Sequence, residues 1–79
     1  MVNEISDYGD GKMIVLYTDD NAVYRNLKDF KKVINHRFYY QEQNRRSITV
    51  GCDLYFEKKH RRWLERKIDS LDPYFKGDF

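Results

Sequence analysis

Apolar positions in this chain recur with different periods, and each period marks an element. Ile48, Val50, Cys52, Leu54 and Phe56 alternate with Thr49, Gly51, Asp53 and Tyr55, the period of two that a half-buried strand requires. Residues 12–18 hold Met13, Ile14, Val15, Leu16 and Tyr17 in an unbroken run, the pattern of a strand covered on both faces. Val23, Leu27, Phe30 and Ile34 are spaced by four, three and four, the stripe of an amphipathic helix. That helix is predicted over 22–33, behind the capping group Asp19-Asp20-Asn21 and stopped near Asn35. Residues 36–41 are aromatic and alternate weakly, a third strand. A second helix is predicted over 57–71, with His60, Trp63, Leu64, Ile68 and Leu71 on one side and Pro73 preventing its continuation.

The two strands at 36–41 and 48–56 read as a hairpin. Directly opposed residues share a face, so keeping Phe38 and Tyr40 beside Cys52 and Leu54 demands a loop with an odd number of residues. A three-residue loop, Asn44-Arg45-Arg46, sets Arg37 opposite Asp53 and Tyr39 opposite Gly51. An opposite-charge pair and an aromatic over a glycine both favour that register.

The order β-α-β-β-α implies an α+β fold, a three-stranded mixed sheet with both helices on one face. A right-handed crossover would set the strand at 12–18 parallel to a neighbour. The arrangement resembles a ferredoxin-like unit that lacks its last strand, with the strand at 12–18 beside that at 48–56. The other edge of the strand at 12–18 would then be open unless the N-terminal arm, the C-terminal tail or a second copy of the chain covers it. Because that strand is apolar on both faces, dimerisation through the sheet edge or the open face is the expectation. Residues 1–11 are polar and contain Gly9 and Gly11, a mobile or edge-pairing arm. Residues 12–72 form a single domain. Residues 73–79 are a tail whose Tyr74, Phe75 and Phe79 are placed to dock on the core.

Composition narrows the class. Seventy-nine residues allow one small core. An aromatic share of 16% is too high for a disordered tail, while 35% charged residues and a mean hydropathy of −0.91 describe a wet surface over a thin core. No apolar run approaches the roughly 20 residues needed to cross a bilayer. Glu4, Asp7 and Asp10 occupy the place of a signal peptide's basic start and apolar stretch. The single Cys52 excludes an internal disulfide and a cysteine-based zinc site, and fits a cytoplasmic setting.

The net charge of +2 hides a segregation. Residues 1–30 hold three Lys or Arg against six Asp or Glu, a net −3. Residues 31–68 hold eleven against four, a net +7, and residues 69–79 one against three, a net −2. Lys58, Lys59, His60 and Arg61 crowd the first turn of the second helix, where the dipole favours acids. Lys58, Arg62 and Arg66 repeat every four residues, where like charges repel. An anion would relieve both conflicts; local pairs Glu57–Arg61, Arg62–Glu65 and Arg66–Asp69 would relieve them as well. Arg45 and Arg46 at the hairpin tip add a second basic spot.

The leading expectation is therefore a small non-catalytic module without a cofactor. It would contact a nucleic-acid backbone through a stripe of Arg45, Arg46, Lys58, Lys59, Arg62 and Arg66. The alternative is a protein-interaction module, of the kind small phages and mobile elements use to inhibit or redirect a host protein. That module would use Tyr39 and Tyr55 on a sheet face shared with Arg37, Gln41 and Thr49. The aromatic signature of an RNA-recognition motif is absent from residues 47–56. A third reading is a metal-dependent nuclease built on Asp19, Asp20 and Asp53 with His36 or His60. Helix capping explains Asp19 and Asp20 without it, and no ligand spacing such as His-x-x-x-His occurs.

Overall fold

Gly9, Asp10 and Gly11 all take positive φ, at 64°, 58° and 78°, a run made accessible by glycine on either side of an Asp. The turn, closed by Lys12 N–H donating to the Gly9 carbonyl at 3.1 Å, folds the polar arm back as a strand. A computed structural model describes residues 2–73 and 75. In it β1 (Asn3–Tyr8) pairs antiparallel with β2 (Met13–Thr18). The chain continues through α1 (Asn21–Leu27), β3 (Asn35–Gln43), β4 (Arg46–Glu57), a 3₁₀ turn (Lys58–His60) and α2 (Arg61–Leu71).

The sheet has four strands in the order β1-β2-β4-β3, every neighbouring pair antiparallel. This corrects the three-stranded mixed sheet. The strand at 12–18 does lie beside the strand at 48–56, but β2 and β4 run in opposite directions. The strand parallel to β2 is β3, and β4 lies between them. The β2 edge that suggested a dimer is filled by β1, the edge-pairing form of the arm. Asp19 fixes that arm, accepting from Val2 N–H at 2.6 Å. Asn3 donates to Asp72 at 2.9 Å and accepts from Thr18 at 2.5 Å, tying β1 to both its neighbour strand and the end of α2.

One sheet face carries the core. Ile14 and Leu16 of β2 and Cys52, Leu54 and Phe56 of β4 meet Val23 and Leu27 of α1 and Leu64 and Ile68 of α2, all nearly inaccessible. Phe30, Trp63 and Phe75 pack at its margin; Tyr74 and Phe79 lie outside the described residues. α1 ends at Leu27 rather than near Val33. Asp29 is unfavourable at a helix C-terminus, and the chain instead turns twice, through Phe30 N–H to Leu27 O and Val33 N–H to Phe30 O, both 3.1 Å. The turns set the Phe30 ring 5.1 Å from Trp63 and leave Ile34, read as helix stripe, exposed. Ile34 N–H then enters the sheet by donating to Tyr55 O at 2.7 Å.

The β3–β4 hairpin turns through two residues, Asn44 and Arg45, both at positive φ (51° and 63°), with Arg46 already in β4. The base register is the expected one, Arg37 opposite Asp53 and Tyr39 opposite Gly51. Between Tyr39 and Tyr40 it shifts, so Tyr40 faces Thr49 and Val50 is the extra residue of a bulge. A two-residue turn and a one-residue bulge sum to the predicted odd loop. Beyond the bulge, faces exchange: Thr49 joins the helix side with Tyr40, and Ile48 joins the open side with Gln41.

Candidate functional site

β2 pairs with β4 only from Cys52 to Glu57. Residues 46–51 of β4 are therefore flanked by β3 alone, and together they form a two-stranded ribbon reaching about 20 Å past the body at 3.3 Å per residue. Every residue from Tyr40 to Val50 is exposed. Arg45 and Arg46 sit at the tip, and among the described residues neither has a carboxylate within 4.0 Å. Polar side chains of Gln41, Gln43, Asn44, Ser47 and Thr49 make up most of the ribbon, with Glu42 its only acid.

The other predicted cations lie at the far end. Lys58 and Lys59 occupy the 3₁₀ turn after β4, and Arg62 and Arg66 lie exposed along α2. Arg46 and Glu57 bound a twelve-residue strand, so the tip and the 3₁₀ turn stand about 36 Å apart along it, while α2 runs back toward the level of Cys52, where Asp72 meets Asn3. The six residues form two groups, tip and helix, with α2 on the core face and Arg46 paired with Gln43 on the other. The local ion pairs differ from those expected. Lys59 meets Glu57 at 3.4 Å, and Arg61 meets both Glu65 at 3.1 Å and Asp7 at 3.2 Å. The acidic arm thus answers Arg61, leaving Lys58, Arg62 and Arg66 without a carboxylate among the described residues.

The uncovered face of the sheet is tyrosine-rich. Tyr8 and Tyr55 stand 5.0 Å apart, Tyr17 and Tyr39 5.9 Å apart, and the Arg37 guanidinium lies 5.4 Å over the Tyr39 ring. Asp53 is nearly buried among them and accepts from the Tyr39 hydroxyl at 2.5 Å. Arg37, although opposite Asp53, makes no ion pair with it. That hydrogen bond holds the Tyr39 phenol above its ordinary pKa, helped by burial and by the Asp53 charge; burial, then Asp53, raises Tyr55. The ring lying over Gly51 is Tyr17, so close that a Cβ there would stand 2.5 Å from its Oη. The sequence reading missed Tyr8 and Tyr17: the first lay in an arm not assigned as strand, the second in a run with no polar face.

Each carboxylate of the nuclease reading is engaged: Asp20 caps α1 by accepting from Ala22 N–H at 3.0 Å, Asp19 holds Val2, and Asp53 holds Tyr39. No group of three His, Cys, Asp or Glu side chains able to hold a metal occurs among the described residues. Cys52 is buried, and loss of solvation pushes its thiol up to about 11. Where the ribbon leaves the body, a shallow groove of about 270 Å³ opens between Asn21 and Tyr24 of α1 and Phe38, Thr49 and Val50. No helix of the described residues is long and apolar enough to cross a membrane. Compared with protein-family models, curated proteins and solved structures, the chain finds no match.

Proposed function

We propose that the protein is a small non-catalytic nucleic-acid-binding module whose contacting element is the β3–β4 ribbon. The observation that supports it is a solvent-surrounded two-stranded ribbon ending in two arginines that have no carboxylate partner among the described residues. A ribbon of this kind fits the major groove of a duplex, and free guanidiniums at its tip gain most from phosphate because they give up no existing partner. Lys58, Arg62 and Arg66 supply a second, weaker phosphate contact.

Fluorescence anisotropy with labelled duplex and single-stranded DNA across a salt series tests the reading. The double variant Arg45→Ala/Arg46→Ala is expected to bind at least about tenfold more weakly, with a log K–log salt slope shallower by about 1.4–1.8. Replacing Lys58, Lys59, Arg62 and Arg66 by Ala should cost less. Unchanged affinity in the tip variant, or a greater loss in the helix variant, would refute the ribbon as the contacting element.

The second reading is a protein-interaction module, including the phage-type inhibitor of a host protein. It draws support from exposed Tyr8 and Ile48 on the tyrosine face. Binding of that kind survives moderate salt and is lost with Tyr39→Ala.

A further inference from the structure

Two edges of the sheet have no neighbouring strand among the described residues, and they are built differently. β1 is six residues long, carries Glu4 and Asp7, and is tied down by Asp19, Asp72 and Arg61. Acidic side chains of this sort discourage pairing of one β1 with another. β3 is nine residues long, contains no proline, and has none of its residues buried. On its helix-side face His36, Phe38 and Tyr40 form a ladder of rings, 5.0 Å and then 6.4 Å between centroids. Tyr24 reaches Phe38 at 5.5 Å, while His36 and Tyr40 stay exposed, Tyr40 at 63%. Such an edge is a ready template for another strand.

We infer that β3 pairs antiparallel with β3 of a second copy of this chain, about a two-fold axis at Tyr39, to give a continuous eight-stranded sheet. The register follows from symmetry and chemistry. A two-fold perpendicular to the sheet keeps each face on its own side, so residues that oppose each other must share parity. Centring on Tyr39 places Phe38 opposite the partner's Tyr40 and His36 opposite the partner's Glu42, each twice. Those are an aromatic pair and an imidazole–carboxylate pair able to share a hydrogen bond, the kinds that stabilise neighbouring strands. On the other face Arg37 opposes the partner's Gln41, and the two Tyr39 side chains meet at the axis. Shifting the centre by one residue toward Tyr40 brings Phe38 against the partner's Glu42 and loses the complement. Shifting it toward Phe38 sets His36 against the partner's Tyr40 and leaves Glu42 against the partner's Ile34. No acid of β3 is left opposite another acid in the Tyr39-centred register. The turn at Asn44 and Arg45 lies past the paired segment, so the arginine tips stay free at both ends of the sheet. The dimer does not rest on the nucleic-acid reading, and its test contains none.

Sedimentation equilibrium on the whole chain, without nucleic acid, should return twice the 9.7 kDa chain mass at tens of micromolar. His36→Glu sets a new carboxylate against the partner's Glu42 at two symmetric places and is expected to weaken dimerisation by roughly tenfold or more, while circular dichroism shows a folded monomer. Adding Glu42→Lys in the same chain replaces that repulsion with opposite charges at both places and should recover most of the affinity. Amide hydrogen exchange provides a readout independent of substitution: protection of β3, and not of β1, should rise with protein concentration. A wild-type monomer at these concentrations, a double variant no tighter than His36→Glu, or concentration-dependent protection of β1 would each overturn the proposal. The first of these would leave β3 to a strand from a different partner.

Discussion

The β3–β4 hairpin is one ladder with two environments, and the change comes at the Val50 bulge. Below it, Gly51, Cys52, Asp53, Leu54 and Phe56 are buried, between two helices on one side and a layer of tyrosines on the other. Above it, every side chain of both strands meets solvent. An isolated two-stranded ribbon is marginal in water, so the upper half persists because the lower half anchors it. The comparison separates two tasks that the same strands perform. Apolar residues below the bulge hold the domain together, and the half above, relieved of that task, is free to carry contacts.

The sharpest way to break this division is to truncate one apolar residue in each half. Phe56 is fully buried and touches the Trp63 ring at 6.3 Å between centroids. Phe56→Ala should cost about 3–5 kcal/mol, a large share of the roughly 5–15 kcal/mol that stabilises a domain. Ile48→Ala, at 44% exposure on the ribbon, should cost less than about 0.5 kcal/mol. Urea denaturation of both variants measures the difference. Comparable losses would mean that the ribbon is packed against something in solution, the second copy included.

How far these two halves were legible in the sequence follows the same boundary. The strict alternation from Ile48 to Phe56 correctly identified a strand and its buried set from Cys52 onward. It placed Ile48 and Val50 in that set as well, because a period of two carries no mark of an inserted residue. The base register was recovered for a compensating reason: an odd loop and an even turn plus a bulge are indistinguishable below the insertion. Asn44, tolerant of positive φ, was the available hint of a two-residue turn. Gly9-Asp10-Gly11 was the corresponding hint that residues 3–8 form a strand, and the sheet's fourth strand depended on it. Of the candidate site residues, parity placed Tyr39 and Tyr55 on the uncovered face, where the fold has them. The basic stripe was not fixed by sequence, since strand length sets the gap between tip and helix and the bulge decides which face each tip residue takes.

Gly51 lies at the boundary, and its backbone is the floor on which Tyr17 rests. Gly51→Val builds a Cβ within 3 Å of three Tyr17 ring or hydroxyl atoms, so that ring must leave and with it the contact to Tyr39. A cost of about 1–3 kcal/mol is expected, read as a lower melting temperature. A melting temperature equal to wild type would show that the tyrosine layer contributes nothing to holding the ribbon on the body.

The smallest effect concerns the side-chain tie just below the boundary, the hydrogen bond from Tyr39 on β3 to Asp53 on β4. The phenol's folded pKa lies above its ordinary value of 10.0, chiefly because its proton is shared with Asp53. A group whose pKa is raised on folding adds stability that is whole below the unfolded value and is lost as pH climbs through the folded one. Tyr39 should therefore support the fold at pH 7 and lose that contribution progressively as pH rises beyond 10.0. Cys52, raised from 9.0 to about 11 by burial, contributes in the same sense across its own window. Melting temperatures measured from pH 8 to pH 11 should consequently fall in the wild type, and fall less steeply in Tyr39→Phe, which starts lower because Asp53 has lost its donor. Were the two slopes identical, the proton between Tyr39 and Asp53 would not be part of what holds the base of the ribbon, and the anchoring would belong to the backbone ladder, the Tyr17 ring and the Phe38–Tyr40 contact.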